Sequence, residues 1–139
     1  MNLWPPFLVA KIRVRHISPD WRVIDVDMRL GLLNRNYMGS HFGGSLFSMT
    51  DPFFWLVVQR ALGSDYVVSH KGGRIDFLKP GYGTVRARFE VADALLEEIR
   101  GVTANGDRHV PELSTEILDE KNEVVARATQ ILHIKRRQG

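Results

Sequence analysis

Between Ser45 and Leu62 the chain is apolar nearly all the way round a helix. Leu46, Phe47, Met49, Phe53, Phe54, Trp55, Leu56, Val57, Val58, Ala61 and Leu62 leave few polar positions. A helix on a protein surface shows one apolar stripe, so a helix of this kind has to be buried. Gly43-Gly44 opens the segment and Gly63 closes it, a sensible start and stop. What surrounds such a helix decides the fold.

The surroundings read as strands. Ile12, Val14 and His16 alternate with Lys11, Arg13 and Arg15. After the turn residues Ser18-Pro19-Asp20, the residues Ile24, Val26, Met28 and Leu30 alternate with Val23, Asp25, Asp27 and Arg29. Two alternating runs around a short turn predict an antiparallel hairpin with one buried face. Downstream, Val67-Val68 and then Ile75 and Phe77 precede a Lys79-Pro80-Gly81 break. Val85, Ala87, Phe89 and Val91 alternate with Thr84, Arg86, Arg88 and Glu90. Ala94 to Arg100 predicts a short helix that stops before Gly101. Leu113, Thr115 and Ile117 lead into a hairpin turn at Asp119-Glu120-Lys121-Asn122-Glu123. The last strand carries Val124, Ala126 and Ala128, with Leu132 and Ile134 beyond. Two strands, a helix and four or so further antiparallel strands predict an α+β fold. A curved antiparallel sheet would wrap one long central helix and cover its edges, often by dimerising.

Length adds that residues 1–139 form one domain, large enough for a core without staples. No repeat, linker or low-complexity tract interrupts it. The chain has 0 cysteines, which excludes disulfides, thiolate metal sites and a cysteine nucleophile. The net charge of +3 requires no nucleic-acid partner. The longest apolar run, Pro52 to Val58, falls far short of the ~20 residues of a membrane span. Met1-Asn2-Leu3-Trp4-Pro5-Pro6 lacks the basic start and apolar stretch of a secretion signal. A soluble, cytoplasmic protein without a membrane partner is expected. His16, His41, His70, His109 and His133 show no metal-ligand spacing, so no metal is expected.

Chemistry concentrates between Asn36 and Pro52. Gly43-Gly44 stands at a helix start, where free N–H groups and the positive dipole end can hold a developing oxyanion. A plain loop-to-helix turn would use the same pair. Asp51 sits in very apolar sequence and shares a narrow helix face with Ser45 and Ser48. Desolvated there, its carboxylate would act as nucleophile or general base. Asp51-Pro52 also reads as an N-cap followed by proline at the first helical position, which would start a second helical piece. Asn36 would orient a water or a carbonyl, and His41 would bind substrate; for both, holding the loop is the alternative.

This segment resembles the hotdog-fold acyl-CoA thioesterases of the phenylacetate-pathway type. Their hallmark is an asparagine, a His-Gly-Gly opening the central helix, and an acidic residue eight positions after the first glycine. Here Asn36, Gly43, Gly44 and Asp51 fit that spacing, and Ser48 matches a hydroxyl residue common in the helix. Further residues are similar to a group of bacterial hotdog proteins known as a domain of unknown function and often labelled tetrameric acyl-CoA thioesterases. These are Trp4-Pro5-Pro6, His41-Phe42-Gly43-Gly44-Ser45-Leu46, Ile75-Asp76-Phe77 with Lys79-Pro80-Gly81, and Val124-Val125-Ala126. One departure is that Phe42 separates His41 from the glycines.

The resemblance implies hydrolysis of an acyl-CoA to a free acid and coenzyme A, at a site shared between subunits of a dimer or dimer of dimers. Coenzyme A is then part of the substrate, and no separate cofactor is implied. Gly44 N–H, with Gly43, would polarise the thioester carbonyl. Asp51, from the facing subunit, would attack or activate water; Asn36 would place the carbonyl or water, and Ser48 would hold the water. Substrate contacts would fall to His41, Phe42, Tyr37 and Trp55 on the acyl side. Some of Arg74, Lys79, Arg86 and Arg88 would meet the phosphates of coenzyme A. The competing reading is a hotdog protein that binds acyl-CoA or lipid without turning it over. A hotdog hydratase fits less well, because no separate His/Asp constellation matches one.

Overall fold

A computed structural model describes residues 11–31, 35–41 and 43–137. Strands β1 (Ile12–Ile17) and β2 (Val23–Arg29) form the expected hairpin. Helices α1 (Gly43–Ser48) and α2 (Phe53–Leu62) follow. After them come β3 (Tyr66–Phe77), β4 (Thr84–Glu90), α3 (Asp93–Thr103), β5 (Glu112–Leu118) and β6 (Val124–Arg136). The six strands make one antiparallel sheet in the order β1-β2-β4-β5-β6-β3. The sheet wraps the central helical segment, and that is the hotdog arrangement.

The core lies between α2 and the helix-facing side of the sheet. Phe53 and Phe54 meet Phe89 of β4 at ring-centroid distances of 5.1 and 5.0 Å. Ile24, Val26 and Met28 of β2, Val85 and Ala87 of β4, and Ala126, Ala128 and Leu132 of β6 close over them. Each large side chain buried this way contributes about 1.5–3 kcal/mol. Within one chain α2 buries one face; Trp55, Leu56 and Ala61 are half-buried.

The central helical segment spans residues 43–62 in two pieces. Pro52 has no N–H to donate and its ring crowds the carbonyl one turn back, so the helix cannot run straight through it. The chain tightens first: Thr50 N bonds Phe47 O at 3.1 Å and Asp51 N bonds Ser48 O at 3.3 Å. The helix restarts with Leu56 N donating to Pro52 O at 3.0 Å. The Asp51–Pro52 peptide is cis.

Two expectations are corrected. His16 does not share the buried face of Ile12 and Val14: a register shift between Val14 and His16 opposes Ile17 to Ile24 and leaves His16 exposed. Helix α3 runs past Gly101 to Thr103. A glycine inside a helix costs only about 1 kcal/mol. Leu96, Ile99 and Thr103 bury one continuous face, and the Thr103 hydroxyl bonds Ile99 O at 2.6 Å. No helix among the described residues is long and apolar enough to cross a membrane.

Candidate active site

Strand β3 is where the helix and the sheet edge meet. Tyr66 and Val68 point toward the helices, and period-two alternation continues that face to His70. Lys71 is then an extra residue, since His70 pairs with Leu132 and Gly72 with Ile131. The bulge resets the alternation so that Gly73, Ile75 and Phe77 take up the helix-facing side. Gly73 packs on Phe47: a Cβ there would lie 3.3 Å from Phe47 Cζ and 2.7 Å from Gln130 Oε1. Phe77 lies over Gly43, where a Cβ would lie 2.9 Å from Phe77 Cζ. Glycine at both positions lets helix and strand approach this closely.

The result is a cleft of 300 Å³ lined by Gly44, Phe47, Ser48 and Asp51 of the helical segment, His70, Gly72 and Gly73 of β3, and Gln130 of β6. Asp51 Oδ1 stands 3.5 Å from His70 Nδ1. His70 Nε2 contacts Gln130 Oε1, and Gln130 Nε2 donates to Thr50 Oγ1 at 3.2 Å. The Ser48 hydroxyl donates to Gly44 O at 2.8 Å, leaving its oxygen free to accept from a water in the cleft.

Asp51 does not cap α2. Pro52 occupies the cap position without a side-chain cap hydrogen bond, and among the described residues His70 is the partner of the Asp51 carboxylate. Nor is Asp51 desolvated within one chain; its side chain is 57% exposed. Of the three residues predicted to share a face, Ser48 and Asp51 line the cleft and Ser45 does not.

Other predicted site residues lie elsewhere. Asn36 is occupied by its own loop: its Oδ1 accepts from Met38 N at 2.9 Å and Ser40 N at 3.1 Å, and its Nδ2 donates to Ser40 Oγ at 2.9 Å. His41 is buried at 3% exposure, with Nε2 donating to Gly83 O at 2.7 Å. Burial pushes its imidazole below the ordinary value; the Gly83 bond pulls the other way and loses. Both residues take their loop-holding alternative. Tyr37 is fully exposed at the tip of that loop. Trp55 is tied through Nε1 to Val68 O at 2.5 Å and walls a small space beside Asp51 and His70. Trp4-Pro5-Pro6 and Phe42 lie outside the described residues.

The four basic residues expected at the phosphates do not line the cleft. Val85, Ala87 and Phe89 face the helix, so Arg86 and Arg88 must face the outer side of the sheet. There Arg88 forks onto Asp25 at 2.7 and 3.2 Å, directly across the β2–β4 ladder. Arg86 bonds Asp119 O at 3.0 Å and reaches Asn122 Oδ1. Arg74 pairs with Glu112 at 2.8 Å. Lys79 is clasped by Glu123 and by Asp119 at 3.0 Å, and these contacts hold its ammonium above the usual lysine range. Cross-strand pairing of opposite charges pins register on this face.

His70, Gln130, Gly72 and Gly73 are the site residues that sequence reasoning missed. His70 and Gln130 stand 60 positions apart, and the bulge hides the strand between Val68 and Ile75. The one available signal was a histidine two residues beyond Val68, in phase with it. Among the described residues no group of three His, Asp or Glu side chains is placed to hold a metal.

Comparison with known proteins bears on the fold. A Pseudomonas aeruginosa protein of unknown function, described as a probable thioesterase, superposes with a TM-score of 0.82 at 18% identity, covering 92% of this chain and 85% of its own. A thioesterase from Haemophilus influenzae gives 0.68 at 14%, covering 94% and 82%. The PaaI protein of the Escherichia coli phenylacetic acid degradation operon gives 0.64 at 19%, covering 99% and 88%. At these identities the likeness is one of fold. No curated protein matches in sequence. The family model described as Domain of unknown function (DUF4442) matches residues 1–134, and the chain belongs to that family.

Proposed function

We propose that this chain is an acyl-CoA thioesterase that works as a homo-oligomer. One observation carries the reading: the Asp51 carboxylate caps no helix and stands in a cleft with Gly44, Ser48 and an imidazole 3.5 Å away. A carboxylate held beside a helix start is the equipment for adding water to a thioester. Gly44 N–H polarises the carbonyl oxygen as it becomes an oxyanion. Asp51 takes a proton from water, and the water oxygen bonds to the carbonyl carbon. Ser48 Oγ accepts from that water. The C–S bond then breaks, and coenzyme A leaves as the thiol. Asn36 and His41 hold the loop that leads into α1 and do no chemistry.

The sheet order supports the oligomer. β3 is an edge strand of 12 residues, and it carries His70, Gly72 and Gly73 into the cleft. A long edge strand invites pairing. Two chains joined along β3 complete the wall of each cleft and cover the half-exposed apolar side of α2. Thiol release from a panel of acyl-CoAs tests the function, with sizing by light scattering beside it. Turnover by a dimer or tetramer is expected. Tight acyl-CoA binding in calorimetry with no thiol release would replace the reading with that of a non-catalytic binding protein.

A further inference from the structure

The Asp51–His70 pair ends a longer chain of polar side chains, and the donors and acceptors along it decide where one hydrogen sits. Gln130 and Thr50 are buried, at 2% and 0% exposure. An unpaired amide or hydroxyl is costly there, so their partners matter. The Thr50 hydroxyl has a single hydrogen, and it goes to Phe47 O at 2.6 Å. Thr50 Oγ1 is left to accept, and it accepts from Gln130 Nε2. That turns the carboxamide so that Oε1 faces His70 Nε2. A carboxamide oxygen only accepts, so His70 Nε2 carries the hydrogen. In the neutral ring Nδ1 is then a bare lone pair, and Nδ1 is the atom facing Asp51 Oδ1 at 3.5 Å. Two acceptors look at each other, with room for one proton. Of the residues lining the two spaces beside His70, Asp51 is the only other titratable group.

We propose that His70 is a positioning residue, fixed as the Nε2–H tautomer by Thr50 and Gln130, whose Nδ1 stores the proton that Asp51 removes. In the hydrolysis the water oxygen bonds to the thioester carbon while its proton passes to Asp51 and on to Nδ1. The imidazolium then holds the carboxylate as an ion pair. The C–S bond breaks, its electron pair stays on sulfur, and the thiolate takes the stored proton back through Asp51. Both side chains end as they began. The kinetic half of this inference rests on the thioesterase reading; the tautomer does not.

Nitrogen-15 NMR of the histidine rings in the full chain tests the tautomer. The expected neutral ring has hydrogen on Nε2, and Asp51→Asn moves the Nδ1 resonance because the group facing it changes from acceptor to donor. Hydrogen on Nδ1, or an Nδ1 signal indifferent to Asp51→Asn, overturns the proposal. Kinetics test the storage. His70→Gln keeps a nitrogen near Gln130 and offers Asp51 nothing; it should lower kcat roughly 10- to 100-fold with little change in KM. His70→Asn presents a donor to Asp51 that cannot take up a proton, and should recover only part of the loss. Unchanged kcat in His70→Gln overturns the proposal. A wild-type protein that releases no thiol, yet shows hydrogen on Nε2, upholds the tautomer and overturns the storage role together with the thioesterase reading.

Discussion

The two sides of the sheet treat polar residues in opposite ways. On the outer side Arg88 meets Asp25 and Arg127 meets Glu116 across their ladders, and Arg74 of β3 reaches Glu112 of β5 over the intervening β6, each open to solvent. On the helix side Thr50, Gln130 and His41 are buried, and His70 and Asp51 are the titratable side chains that line the cleft. Solvent screens the outer pairs, so they fix register while adding little stability. Polar groups on the helix side have no water to fall back on. Their hydrogens are dictated by their partners, and the chain from Thr50 through Gln130 and His70 ends at Asp51, the carboxylate that lines the cleft.

The largest expected effect comes from closing the helix side. Gly73→Val puts a Cβ 2.7 Å from Gln130 Oε1 and 3.0 Å from the Thr129 carbonyl oxygen, so the carboxamide must move and the cleft fills. Thioester hydrolysis should fall about 100-fold or more, measured as thiol release per folded protein. Near-normal turnover would show that the cleft is not the site.

A middling effect is expected from buried His41. Its folded form gives up its proton more readily than the ordinary 6.5, because burial penalises the charged ring. As pH falls, the unfolded chain therefore takes up this proton first. Stability should be level above about pH 7 and decline as pH drops through 6.5 toward the lower folded value. Thermal unfolding at pH 7.5 and 5.5 checks this. His41→Gln, which keeps a donor near Gly83 O, should flatten the difference, and an equal pH response in both proteins would remove His41 as its cause.

The smallest effect belongs to the outer side. Arg88→Ala should leave kcat and KM for acyl-CoA unchanged and lower the melting temperature slightly. A several-fold rise in KM would return Arg88 to the substrate and contradict the division between the two sides.

Much of the fold was legible because it rests on local periods. Ile24, Val26 and Met28 announced their strand, and Asp119 to Glu123 announced the last hairpin. Where one extra residue intrudes, the period misleads. The shift after Val14 turned His16 outward, and the bulge at Lys71 hid the strand that carries His70. Asp51 stood out because a carboxylate is rare in such apolar sequence. Its partner did not, because the contact joins a helix break to an edge strand and its support comes from β6, 60 residues beyond His70. Arg86 and Arg88 do not line the cleft beside Asp51. Their alternation with Val85, Ala87 and Phe89 places them on the far side of the sheet from the helix.

The central claim is that Asp51 activates water for thioester hydrolysis. Its most direct test is thiol release from acyl-CoA by wild type and Asp51→Asn side by side, with melting temperatures of both. Because Asp51 caps no helix and is 57% exposed, the variant should fold and melt like wild type. Its turnover should fall by about 10²- to 10⁴-fold. A well-folded Asp51→Asn that hydrolyses acyl-CoA at the wild-type rate would contradict the account.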